Sequence, residues 1–143
     1  MQHVYIMRDP RNHNDIKVGF SINPIERRKQ LYRTNTPLPF NLSAVWAVSD
    51  QRIAESIAHF RLSDHRINDR REWFEIVPAQ IIGTKDFPLY CNADYDFTSD
   101  CLDVLVELIQ EDFCSYSGLQ WQRIFEYKDL LLSVSLEDII FLQ

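Results

Sequence analysis

The sequence predicts an α/β fold that carries a mainly helical, acidic C-terminal extension. Three observations support this. Two early segments alternate apolar and polar residues as paired strands do. Later segments open on helix-capping residues and repeat apolar side chains at helical spacing. The charge also changes sign along the chain. Residues 1–84 hold 12 Lys+Arg against 9 Asp+Glu, net +3, while residues 85–143 hold 3 against 12, net −9, which gives the overall −6. Such asymmetry points to two surfaces with different partners.

His3 to Arg8 alternates as a strand, with Val4 and Ile6 on one face and Tyr5 and Met7 on the other. Asp9-Pro10 through Asn14 is a turn. Asp15 to Ser21 alternates again, and pairing the two as a hairpin puts Tyr5, Lys17 and Gly19 on one face. Val4, Ile6, Ile16, Val18 and Phe20 then face the core. Gly19 lacks a side chain, so another group can approach closely there. Asn23 caps a helix with Pro24 in its first position and Glu26 three residues on, running to about Arg33. Thr34 to Pro39 stops it. Asn41 to Val48 reads as a strand around Trp46. Ser49 and Asp50 open a helix to about Asp64, with Ile53, Ile57 and Phe60 as its apolar stripe and Glu55 and His59 roughly opposite. Glu72 to Val77 is a short strand, and Pro78 is a candidate start for another short helix.

From Lys85 the pattern changes. Phe87 to Phe97 is irregular and aromatic. A helix capped by Thr98, Ser99 or Asp100 runs to about Glu111, with Leu102, Leu105 and Ile109 in one stripe. Gly118 is a break, Leu119 to Leu132 reads as helix, and Ser135 with Asp138 forms a capping box for a short last helix. Residues 1–84 are therefore expected to form one domain, and residues 85–143 a folded extension for partner docking or dimerisation.

Bulk composition excludes several classes. A 143-residue chain with 45% hydrophobic and 13% aromatic residues can bury a core and is not a disordered segment. No charged leader precedes an apolar stretch, and no apolar run approaches the roughly 20 residues of a membrane helix. A cytoplasmic location is the expectation. Cys91, Cys101 and Cys114 are odd in number and lack a CxxC spacing, which argues against a disulfide framework or a zinc knuckle. His13 and His65 read as surface residues.

The chemistry-bearing residues fall in an ordered string: Val4-Tyr5-Ile6, Lys17-Val18-Gly19, Arg27 with Leu31, Pro37-Leu38-Pro39-Phe40, Glu55 with His59, and Glu72-Trp73-Phe74. On these motifs, in this order, the first 77 residues resemble the GIY-YIG endonuclease superfamily. The likeness is to its small phage, bacterial and fungal branch, which has Lys in the second motif. Here His3 stands where glycine is usual, and Lys17 where many active members carry tyrosine. The resemblance implies a three-stranded antiparallel sheet flanked by helices, and DNA cleavage that depends on a divalent metal. It also implies an intracellular, possibly phage-encoded protein in a bacterial host.

The roles follow from the chemistry of phosphodiester cleavage, which needs charge on the phosphate stabilised and a water activated. Arg27 offers a bidentate fork to phosphate oxygens. Glu55 suits Mg²⁺ or Mn²⁺, which keep waters and take few protein oxygens. Tyr5 and Lys17 sit where a nucleophile is positioned or deprotonated. His59 joins Tyr5, Lys17 and Arg27 as a candidate catalytic residue, and Gly19, Arg28 and Glu72 are further candidates. Arg28 competes with Arg27, and Glu72 with Glu55. Glu72 otherwise pairs with Arg70 or Arg71, and the Arg66–Arg71 cluster offers contacts to a DNA backbone. Each residue also has an ordinary reading, as a packed Tyr or an exposed i,i+4 pair. Two functions remain open. One is a metal-dependent endonuclease. The other is a catalytically inactive protein of the same fold, which binds or inhibits a partner through the acidic tail. Whether the tail fills the cleft around Tyr5, Arg27 and Glu55 discriminates between them.

Overall fold

A computed structural model describes residues 2–33, 41–67, 72–78 and 94–135. The first hairpin joins β1 (Gln2–Arg8) to β2 (Asp15–Ser21), with Tyr5 opposite Gly19 and Ile6 opposite Val18. Its turn is closed by local polar groups. The Arg11 amide donates to Asp9 Oδ1 at 2.9 Å and the Asp15 amide to the Asn12 carbonyl at 2.9 Å. Asp and Asn favour such turns because their side chains accept from nearby amides. β3 (Asn41–Val48) pairs with the other edge of β1, with a bulge between Ile6 and Met7. These are the three antiparallel strands that the resemblance implies. Two short strands widen the sheet: β4 (Trp73–Glu75) beside β2 and β5 (Trp121–Ile124) beside β3. The order is β4-β2-β1-β3-β5.

Three of the described helices begin at a side-chain cap. Asn23 Oδ1 accepts from the Glu26 amide at the start of α1 (Pro24–Arg33). Asp50 Oδ1 accepts from the Arg52 and Ile53 amides of α2 (Gln51–Arg61). Asp94 Oδ1 accepts from the Phe97 amide of α3 (Tyr95–Ser115), so this helix starts before the expected Thr98–Asp100 cap and runs past Glu111. α4 (Tyr127–Ser135) is the last described helix.

The sheet is buried on both faces. Val4, Ile6, Ile16, Val18, Trp46 and Phe74 form one side of a core that is closed by α2 and α3. Val4, Ile6, Ile16 and Val18 are fully buried and Phe20 is half-buried, as the hairpin alternation requires. The opposite face carries Tyr5, Met7 and Val45, covered by Ile25 and Leu31 of α1 and Leu130 and Val134 of α4. The expected Leu102, Leu105 and Ile109 stripe of α3 is buried within the chain, extended by Val106 and Phe113. Phe113 lies edge-on to Trp46, 5.5 Å between centroids, and Trp46 Nε1 donates to Gln110 Oε1 at 3.1 Å.

Two elements differ from expectation. α2 buries Ala54 and Ala58 fully, while Ile53 and Ile57 of the expected stripe pack half-buried against the core and Phe60 is 82% exposed. The small residues let the helix approach the sheet closely, with Leu62 continuing the buried row, so the true face lies one position off the larger side chains. Residues 119–132 are not one helix. The Ser117-Gly118 turn sends the chain to the edge of β3, where the Ser49 amide donates to the Gln120 carbonyl at 2.9 Å and β5 follows. A short apolar segment does not reveal from periodicity alone which structure it takes.

The C-terminal elements are fastened by polar contacts as well. Arg61 makes two 2.7 Å bonds to Asp112. Arg8 donates to Ser99 Oγ at 2.7 Å and to Thr98 Oγ1, and stacks over the Tyr95 ring at 4.4 Å. His3, fully buried, bonds Ser133 Oγ at 2.7 Å, and burial lowers its pKa to about 4. Cys101 is half-buried and Cys114 exposed, both as free thiols. No helix among the described residues is long and apolar enough to cross a membrane. The expectations for residues 34–40, Arg70, Arg71, residues 79–93 including Cys91, and the short last helix after Ser135 lie outside the described residues.

Phe113→Ala is expected to cost about 3–5 kcal/mol in urea unfolding, as removal of a packed aromatic typically does. A loss below about 1 kcal/mol would show α3 to be dispensable to the core.

Candidate functional site

The register of the hairpin sets the site. Tyr5 faces Gly19 across the β1–β2 pair, and a Cβ on Gly19 would lie 2.6 Å from the phenol oxygen and 2.8 Å from Cζ. The glycine is there because the ring occupies the space a side chain would need. Tyr5 is 1% exposed. Burial pushes its phenol up from the ordinary value, and a hydrogen bond from Arg27, with the charge of that guanidinium, offsets part of the effect. Arg27 lies one turn into α1, which packs on this face, and its Nη1 points at Gln30 Oε1 at 3.4 Å.

The cleft around them, about 390 Å3, is lined by Tyr5, Gly19, Phe20, Ser21, Arg27, Gln30, Glu55 and Glu72. Tyr5, Gly19, Arg27 and Glu55 thus converge as the sequence anticipates. Arg28 is elsewhere, beside Ile25, Asn41, Leu42 and Tyr127, so Arg27 is the arginine of this cleft. Glu55 and Glu72 both line it. None of its described lining residues comes from the C-terminal extension.

Glu55 reaches the site from α2, although α2 covers the opposite face of the sheet. The shortness of β4 makes this possible. β4 pairs with β2 only over Asp15–Lys17, and the Glu72 carbonyl accepts from the Val18 amide at 2.9 Å. The Val18 carbonyl is therefore left at an open edge. His59 Nε2 meets it at 2.9 Å, and because a carbonyl can only accept, the ring nitrogen donates. The ring packs edge-on to Phe74 at 5.1 Å, and burial lowers its pKa. His59 does not line the cleft. It ties α2 to the edge of β2 one helical turn from Glu55.

The charges are closely matched. Lys17, on the buried face of β2, places Nζ 3.1 Å from Glu72 Oε2. Glu72 thus pairs across the strands with Lys17. Of the cationic cluster, Arg66 stacks over the Phe74 ring at 5.3 Å. The Glu55 carboxyl is pushed up to about 7, first by burial and then by the negative charge of Glu72, with Arg52 and Lys17 opposing. Its Oε2 is buried without a hydrogen-bond partner.

That donor set bears on metal binding. No cluster of three or more His, Cys, Asp or Glu occurs among the described residues. An orphaned buried carboxylate oxygen beside a second carboxylate suits a hard cation that keeps most of its waters. A larger cleft, about 850 Å3 between α2 and α3, is lined by Ile53, Ile57, Phe60, Tyr116 and the Arg61–Asp112 pair among others. Its charged residues include Arg52 and Asp64 beside the Arg61–Asp112 pair, whose two groups already satisfy one another.

Sequence reasoning missed Phe20, Ser21 and Gln30 as lining residues. Gln30 carried a signal, three positions after Arg27 on one helix face. The Lys17–Glu72 pair carried none, because it exists only through the β2–β4 register.

Comparison with known families matches residues 2–87 to a family model described as the T5orf172 domain. Comparison with curated proteins and with solved structures finds no match.

Two outcomes are expected of this geometry. Gly19→Ala should destabilise by about 1–3 kcal/mol, the usual range for overpacking, read by urea unfolding. Wild-type stability there would mean that the Tyr5 ring moves freely. Glu55, raised to about 7 in the folded state against 4.5 when unfolded, binds its proton more tightly folded. Its contribution is thus present below about pH 4.5 and is lost as pH rises toward 7. Glu55→Gln should remove that part of the decline, and unchanged pH dependence between the two proteins would contradict the shift.

Proposed function

The chain belongs to the T5orf172 domain family, a nuclease-associated domain, and we propose that it is a metal-dependent endonuclease that cleaves DNA by GIY-YIG-type chemistry. One observation carries this reading: Tyr5, Gly19, Arg27, Glu55 and Glu72 meet around a single cleft whose described walls contain nothing from the acidic extension.

Arg27 binds the scissile phosphate through its planar fork and stabilises the charge that builds on it. Its charge lies beside the Tyr5 hydroxyl, so the two groups act on the same phosphate. The raised phenol of Tyr5 stays protonated at neutral pH, so the hydroxyl orients a water or a phosphate oxygen instead of serving as a strong base. Lys17 adds positive charge at the same face. Glu55 would hold Mg²⁺ or Mn²⁺, with Glu72 nearby. A bound cation supplies a water of lowered pKa and neutralises phosphate charge. His59 holds α2, and therefore Glu55, against β2. It is a positioning residue in this scheme.

The inactive binding alternative draws on Lys17 in place of a second tyrosine and on the acidic residues after position 85. It would favour a cleft filled by the extension, whereas the described lining comes from residues 5–72.

Plasmid nicking with Mg²⁺ or Mn²⁺ tests the proposal. Arg27→Ala should lower the rate at least ~100-fold, the typical cost of losing one transition-state charge donor, and EDTA should abolish cleavage. Metal-independent nicking, or an undiminished Arg27→Ala protein, rejects this mechanism. Inactivity across metals and substrates would favour the binding alternative.

A further inference from the structure

The Lys17–Glu72 pair has a use that the scheme above leaves open. Lys17 is nearly enclosed, with a side chain 9% exposed, while Glu72 is 46% exposed. The carboxylate therefore lies on the solvent side of the ammonium, at the cleft that Tyr5 and Arg27 also line. An anion entering to meet Lys17 arrives where Glu72 already sits. The backbone of Glu72 is fixed by its bond to the Val18 amide, which sets its side chain beside Lys17 and leaves the carboxylate free to rotate. Its negative charge is also felt by Glu55, whose Oε2 has no hydrogen-bond partner.

We propose that Glu72 is a resident anion, occupying the Lys17 ammonium in the empty cleft until a substrate phosphodiester displaces it. This rests on the nuclease reading and assigns that site a built-in competitor. With no substrate, Glu72 satisfies the buried ammonium, which would be costly to leave unpaired. When a phosphate arrives, Lys17 exchanges one oxygen anion for another, and Glu72 swings toward water, which its exposure permits. Binding is therefore weakened by the strength of the pair that must be broken, and small anions are kept from the cleft. Only a ligand that also engages Arg27 gains enough to displace the carboxylate.

The test is binding of a short DNA duplex by the full chain in EDTA at fixed low salt, so that cleavage and metal play no part. Glu72→Gln should tighten the Kd roughly two- to fivefold, the scale of a partly exposed ion pair. The same change made in a Lys17→Met background should give little or none of that gain. Glu26→Gln, an exposed carboxylate on α1, reports the effect of one lost negative charge and keeps the test decisive if Lys17→Met does not fold. Unchanged or weaker binding by Glu72→Gln overturns the proposal. So does a gain matched by Glu26→Gln, or one that persists without Lys17. These results leave the nuclease reading intact. Absence of DNA binding by the folded wild-type protein overturns that reading, and this proposal with it.

Discussion

The close contact between Tyr5 and Gly19 is the constraint from which the rest of the site follows. A phenol lying where a Cβ would sit, 2.6 Å from its oxygen, permits only glycine at that position. It also permits only one register, because a one-residue slip would turn Val18 toward the ring and Gly19 toward the opposite core. With that register fixed, Lys17 shares the Tyr5 face and meets the strand that begins at Trp73. Arg27 approaches from above because Pro24 starts α1 three residues after β2 ends. Three chemically active side chains, those of Tyr5, Lys17 and Arg27, are thus placed by one steric contact and one helix start.

Glu55 requires a different device, since its helix covers the other face of the sheet. β4 is only three residues long, and where it ends β2 presents a carbonyl without a strand partner. His59 fills that vacancy in the ladder with a side-chain donor. The short edge strand is therefore part of the site's construction.

Much of this was legible in the sequence, for reasons specific to each element. β2 alternates and β3 is largely apolar around Trp46, and their bounds, Asp15–Ser21 and Asn41–Val48, are those the sequence indicates. Asn23-Pro24 located α1 because both residues act on the local backbone alone. Tyr5, Gly19, Arg27 and Glu55 could be gathered because their motif order carried information that no single residue did. What failed depended on partners distant in sequence. α2 buries Ala54 and Ala58 because the sheet admits a close helix, which large apolar residues at 53, 57 and 60 concealed. β5 is a strand because β3 had an edge to offer. Glu72 meets Lys17 only once the strands are in register.

The charge asymmetry now has a location. α3 exposes Asp96, Asp100, Asp103, Glu107 and Glu111 along one stripe, and it packs with α2 on the face of the sheet opposite α1. A polyanion approaching Arg27 comes from the α1 side, with the sheet between it and this acidic stripe. Screening over about 8–10 Å at physiological ionic strength weakens repulsion across the intervening layers. The acidic helix therefore need not oppose binding of an anion at the cleft. The net −6 of the chain is a poor guide to its surface, because the five carboxylates of the α3 stripe and the cleft lie on different sides of one sheet.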